Sequence, residues 1–149
     1  MGGQIPLTQL RLPPQAVEAM LNHARACDPE ECCGLLAGEP DGTVRFVYPL
    51  TNAQHSPTAF TIDPVEHFRA WQHATRRGWD LIGAFHSHPS GPPHPSTTDL
   101  ALAAEPDWAW VIITAGSIRA FTIHDRRARP LEIGQPEASS LNRARQEGS

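Results

Sequence analysis

A chain of 149 residues with a formal net charge of −4 has the length of one domain and lacks the basic surplus of a nucleic-acid or anionic-membrane surface. Its 40% hydrophobic and 19% charged residues are the mix of a globular protein with its own core. Three cysteines, Cys27, Cys32 and Cys33, make no disulfide framework. No apolar run reaches the roughly 18 residues of a membrane span, and the first residues carry no signal-peptide pattern, so the expected compartment is the cytoplasm.

Residues 4–11 are expected to form an edge strand. Pro13 and Pro14 open a helix over 13–28, since proline is tolerated in a first turn. Val17, Met20, Leu21 and Ala24 recur at helical spacing along it. Residues 30–38 read as a strand with small residues at close contacts, Asp41-Gly42 as a hairpin turn, and 44–50 as the returning strand. A short strand is expected at 58–62. Asp63 then caps a helix over 63–77, with Pro64 in its first turn and Val65, Phe68, Trp71 and Ala74 on its inner side. Strand 80–88, a proline-rich loop and a helix over 96–105 follow. Strands 108–114 and 118–124 form a hairpin, with a last short strand at 130–133. The domain is expected to span 1–135, leaving 136–149 as a polar tail.

The chemistry gathers at the end of strand 80–88. His86 and His88 lie two apart, so their side chains leave the strand on one side. Eleven residues beyond His88 stands Asp99, a hard oxygen donor, behind a loop stiffened by Pro89, Pro92, Pro93 and Pro95. Two imidazoles and one carboxylate leave a tetrahedral Zn²⁺ one position for water, the arrangement of catalytic sites. Ser96-Thr97-Thr98-Asp99 is also a helix capping box, and one Asp99 can serve both roles. A base is needed near the metal, and Glu30, Glu31, Glu66 and Glu105 are all eligible by spacing.

Glu31-x-Cys33-Gly34, His86-x-His88 and Ser96-x-x-Asp99, with seven residues between the last two motifs, resemble the JAMM (MPN+, JAB) metalloprotease signature. Asn52, Phe60 and Asp63-Pro64 also resemble a segment of the small prokaryotic members. The resemblance implies an α/β fold related to cytidine deaminases, with a central mixed sheet flanked by helices. It implies zinc held by His86, His88 and Asp99, Glu31 as general base and acid, and Ser96 at the oxyanion. It also implies a partner: a small ubiquitin-like sulfur carrier related to ThiS and MoaD, cut after its C-terminal Gly-Gly, as by the CysO–cysteine peptidase type.

Three other readings have residues behind them. His-Ser-His-Pro-Ser-Gly also resembles RadC proteins, which are tied to DNA repair, but the net charge does not suggest DNA. MPN− scaffolds share the fold and typically lose the metal ligands, which this chain retains. Cys32 or Cys33 with a histidine would make a thiol dyad, although a cysteine in a buried strand is usually a small hydrophobe. His55 and His94, both in loops, are possible substrate contacts.

Overall fold

The computed structural model describes residues 7–136. Its elements are β1 (Gln9–Arg11), α1 (Pro14–Cys27), β2 (Cys33–Gly38), β3 (Val44–Leu50), α2 (Pro64–Arg76), β4 (Asp80–Ser87), α3 (Thr97–Leu102), β5 (Ala109–Thr114), β6 (Ser117–His124) and β7 (Arg127–Gly134). The strands form one mixed sheet of order β1-β7-β6-β5-β4-β2-β3. Pairs β1/β7 and β4/β5 are parallel and the others antiparallel. The expected α/β architecture, a mixed sheet flanked by helices, is present.

Alternation along the strands sends side chains to two cores. On one face Leu36, Phe85, Val111 and Ile113 pack with Met20 of α1. On the other Leu35, Ala37 and Ala84 pack with Ala70 and Ala74 of α2. Strand β4 runs between the two layers, and all but its first two residues are buried. Gly34 lets the layers close: a Cβ there would sit 2.2 Å from the Tyr48 carbonyl oxygen and 2.3 Å from the Phe85 ring.

Several boundaries differ from expectation. The first strand is found only at Gln9–Arg11, and residues 4–6 lie outside the described residues. Apart from Pro136, the same holds for the tail expected at 136–149. Glu30 and Glu31 precede β2 rather than belonging to it. Residues 58–62 form no strand; a single bridge, Asn52 to Ile62, is all that pairs there, because the Asn52 side chain takes the loop's polar backbone groups instead. Helix α3 stops at Leu102, short of Glu105. Strand β7 begins at Arg127 because Asp125 and Arg126 both adopt positive φ, 51° and 60°, and close a two-residue hairpin.

The inner face of α2 is also corrected. Val65, Phe68 and Trp71 are exposed, at 56, 55 and 49%, while Ala70 and Ala74 are buried. Residues three apart fall back about 60° per step around a helix of 3.6 residues per turn. A row that starts at Ala74 on the core therefore ends at Val65 on the opposite side.

Candidate metal centre

The antiparallel register of β2 and β4 pairs Cys33 with His86. The pairing continues past both strand ends: Ser87 N donates to Cys32 O at 3.1 Å, and Cys32 N donates to Ser87 Oγ at 2.8 Å. Counting outward, Glu31 falls opposite His88. On the other side His88 N donates to Ile113 O at 2.9 Å, extending the β5 pairing. Backbone bonds to both neighbouring strands thus fix where His86 and His88 leave the sheet.

Asp99 arrives from the far side of the proline loop. Asp99 N donates to Ser96 Oγ at 3.0 Å, and Ser96 N donates to Asp99 Oδ2 at 2.9 Å, a complete capping box. That box aims the same Oδ2 at both imidazoles. His86 Nε2, His88 Nε2 and Asp99 Oδ2 stand 3.0, 3.1 and 3.1 Å apart. Donor atoms around a tetrahedral ion with bonds of about 2.0–2.1 Å stand roughly 3.3 Å apart. Shifts of a few tenths of an ångström would therefore admit a small divalent cation, and two imidazoles with a carboxylate are a suitable donor set.

The surroundings orient these side chains. His88 Nδ1 donates to Pro92 O at 2.8 Å; neutral His88 then offers the Nε2 lone pair to an ion, and protonated His88 donates from Nε2 to Asp99 Oδ2. The Phe60 ring stacks on the His86 imidazole, with centroids 4.5 Å apart and planes at 25°. Burial pushes His86 below the usual imidazole range, against Asp99. The hydrogen bond to Asp99 raises His88, with burial opposing. Burial acts to raise Asp99, but the hydrogen bonds from both histidines outweigh it and hold the carboxyl well below the usual range.

Glu31 is 5% exposed. Burial pushes its carboxyl up to about 7; His88 opposes this and the Asp99 charge adds to it. Its backbone is held on both sides: Glu31 N donates to Ser56 O at 2.9 Å, and Asn52 Nδ2 donates to Glu31 O at 3.0 Å. Of the four glutamates eligible by spacing, Glu66 is committed elsewhere. It accepts from Thr51 N at 2.8 Å and Thr51 Oγ1 at 2.9 Å. Glu30 Oε1 lies 3.3 Å from His55 Nδ1 on the surface. Ser96 is exposed; its Oγ accepts the cap bond, and its hydroxyl proton is left to donate.

The thiol dyad finds no support in these surroundings. Burial pushes Cys32 up to about 11 and Cys33 up to about 12, far from thiolate. His94 is exposed in the proline loop and His55 in the 52–60 loop. Two residues that position the site carry no chemical signature of their own. Ser87, the middle of His-Ser-His, turns to the opposite face and fastens Cys32. Pro92 acts through its carbonyl, which the side-chain sequence cannot advertise. Asn52 is visible in the sequence only through the family resemblance.

Comparison with known proteins gives the family. Residues 13–133 match the family described as prokaryotic homologs of the JAB domain. The chain is similar to the CysO-cysteine peptidase of Mycobacterium tuberculosis, with 39% identity over 100 residues, 66% of this chain and 68% of the relative. It is similar to a desampylase of Haloferax volcanii, with 37% identity over 111 residues, 70% of this chain and 80% of the relative. The solved structure of a protein from Desulfitobacterium hafniense superposes with a TM-score of 0.79 at 37% identity, covering 87% of this chain and 94% of the other.

Proposed function

The chain belongs to the JAB family, in its prokaryotic branch, and from that premise we propose that it is a zinc-dependent peptidase acting on a small ubiquitin-like sulfur carrier. The bond cut is the one after the carrier's C-terminal Gly-Gly, and cysteine or a short extension leaves. The observation that carries this reading is the convergence of three donor atoms within 4.8 Å of one another beside a buried carboxyl poised near neutrality. The names of the peptidase and desampylase relatives support the same class of reaction.

His86, His88 and Asp99 would hold the ion. When bound, zinc supplies Lewis acidity toward water and toward a carbonyl oxygen. Glu31 takes one proton from the attacking water at a carboxylate oxygen, while the water oxygen adds to the scissile carbonyl carbon. The same carboxyl then returns the proton to the amide nitrogen as the carbon–nitrogen bond breaks. Ser96 donates its hydroxyl proton to the oxyanion that develops on the carbonyl oxygen. Glycines before the cleaved bond let bare backbone enter between Glu31 and the proline loop, with the 52–60 loop beside it.

Mass spectrometry of a ThiS/MoaD-like carrier extended beyond Gly-Gly tests the reading. Incubation with the zinc-loaded protein should shorten the carrier to Gly-Gly, and chelator should stop it. Replacing the last glycine with a bulky residue should also prevent cleavage. Equal cleavage of Gly-Gly and bulky tails would remove the slot; no cleavage of any carrier would remove the reaction.

A further inference from the structure

Phe60 stands on a loop, yet its backbone is pinned on both sides. The buried Asn52 side chain brackets it: Asn52 Nδ2 donates to Ala59 O at 2.9 Å, and Thr61 N donates to Asn52 Oδ1 at 3.2 Å. The same Nδ2 donates to Glu31 O at 3.0 Å, so one amide holds the backbone of Glu31 and of both neighbours of Phe60. The Phe60 ring, itself half-buried, lies on the His86 imidazole, which is 3% exposed. The ring is therefore part of the layer between that imidazole and solvent. On the His88 side the proline loop closes in: a Cβ at Gly91 would sit 3.3 Å from His88 Cβ. The donor set thus lies between an aromatic wall held by Asn52 and a loop stiffened by prolines.

Resting on the reaction proposed above, we propose that Phe60 is the specificity-determining residue that sets its glycine requirement. The ring lies against the last residue before the cleaved bond. Glycine fits because its α-carbon carries only hydrogens, which pack on the ring. A side chain there meets ring carbons that have nowhere to go, because His86 backs the ring and Asn52 holds the backbone. Phenylalanine has no polar atom with which to move a proton, so its part is shape alone.

Two measurements test this. The first compares cleavage of ThiS/MoaD-like carriers extended beyond Gly-Gly with cleavage of carriers extended beyond Gly-Ala. Wild type should prefer Gly-Gly in kcat/KM by about ten- to two-hundredfold, the scale of one misplaced methylene. Phe60→Ala should bring the ratio toward one, Phe60→Leu should fall between, and Phe60→Tyr should keep the wild-type ratio. A ring that only steadied His86 would lower both rates together and leave the ratio unchanged. The second measures binding of carriers ending in Gly-Gly or Gly-Ala to the metal-free protein by calorimetry. Wild type should bind the Gly-Gly end more tightly, and Phe60→Ala should bind both alike. No preference in wild type, or a preference that Phe60→Ala and Phe60→Leu leave intact, overturns the assignment while the reaction stands. If no carrier is cleaved, binding decides alone. A preference that depends on Phe60 keeps the wall while the proposed reaction falls, and its absence removes both.

Discussion

Glu31 shows how far surroundings bend one residue's chemistry. In water its carboxyl would be ionised at neutral pH; buried beside the triad it holds its proton up to about 7. That proton has a sign for stability. The folded value lies above the ordinary 4.5, so folding takes up a proton between the two. The contribution is fully present below about 4.5 and is lost as pH rises through about 7. In metal-free protein, denaturant titrations from ~pH 5 to ~pH 8 should show wild type losing stability relative to Glu31→Gln. His88 is shifted in the same direction and feels the Glu31 charge, so the difference reports Glu31 together with its effect on His88. A difference that stays flat with pH would place Glu31 in water. With zinc present, Glu31→Gln should retain the metal and lose most turnover. Asn52 acts one step further out. Its side chain donates to Glu31 O and Ala59 O and accepts from Gln54 N and Thr61 N. Asn52→Ala should lower stability by about 1–3 kcal/mol, the cost of stranding buried polar groups. It should also reduce turnover while metal content, read by elemental analysis, stays at the wild-type level.

At the scale of elements, the informative contrast is between strands and the pieces around them. The run 81–85 was legible as a strand because five consecutive apolar or small residues admit only a buried one in so short a stretch, and it is β4. The α2 stripe misled because an i+3 row tracks the core for only two or three steps. Residues 58–62 have strand-like composition, yet Ala59 O and Thr61 N bond to the side chain of one buried asparagine, a tertiary choice no local pattern encodes. The triad was legible because its spacing is chemical; Pro92 was not, because a carbonyl has no letter. Gly34 sits between these cases, a small residue in a strand whose reason only packing reveals. With a backbone oxygen 2.2 Å from its virtual Cβ, little can give way. Gly34→Ala should therefore destabilise the protein by at least the ~1–3 kcal/mol usual for overpacking. Since Gly34 is registered with Phe85, next to His86, metal affinity should fall as well. Thermal unfolding and a zinc titration would detect both effects; a variant as stable as wild type would mean that β2 and β3 can part freely.

Across the whole molecule, the strand order places β4 between four strands on one side and two on the other, so the strand that carries His86 and His88 has no free edge. That order, with the parallel β4/β5 pair, depends on contacts between distant segments, which periodicity does not report. It matters for the metal because the sheet holds β4 whether or not an ion is present. The triad is also self-satisfied: Asp99 Oδ2 lies against both histidines and accepts from Ser96 N, and His88 Nδ1 binds Pro92 O. Removing the ion therefore strands no buried charge, and chelated protein should remain folded with a single cooperative transition. Zinc should then add stability only through binding to the folded form, about 2.7 kcal/mol at a hundredfold excess over the dissociation constant. His88→Ala removes one of three donors and leaves the core clusters intact. Its chelated form should unfold much like chelated wild type, while added zinc should no longer raise its Tm. A zinc-dependent rise that survives in His88→Ala would move the metal to other ligands. Loss of cooperative unfolding on chelation would make the ion a structural part of the fold.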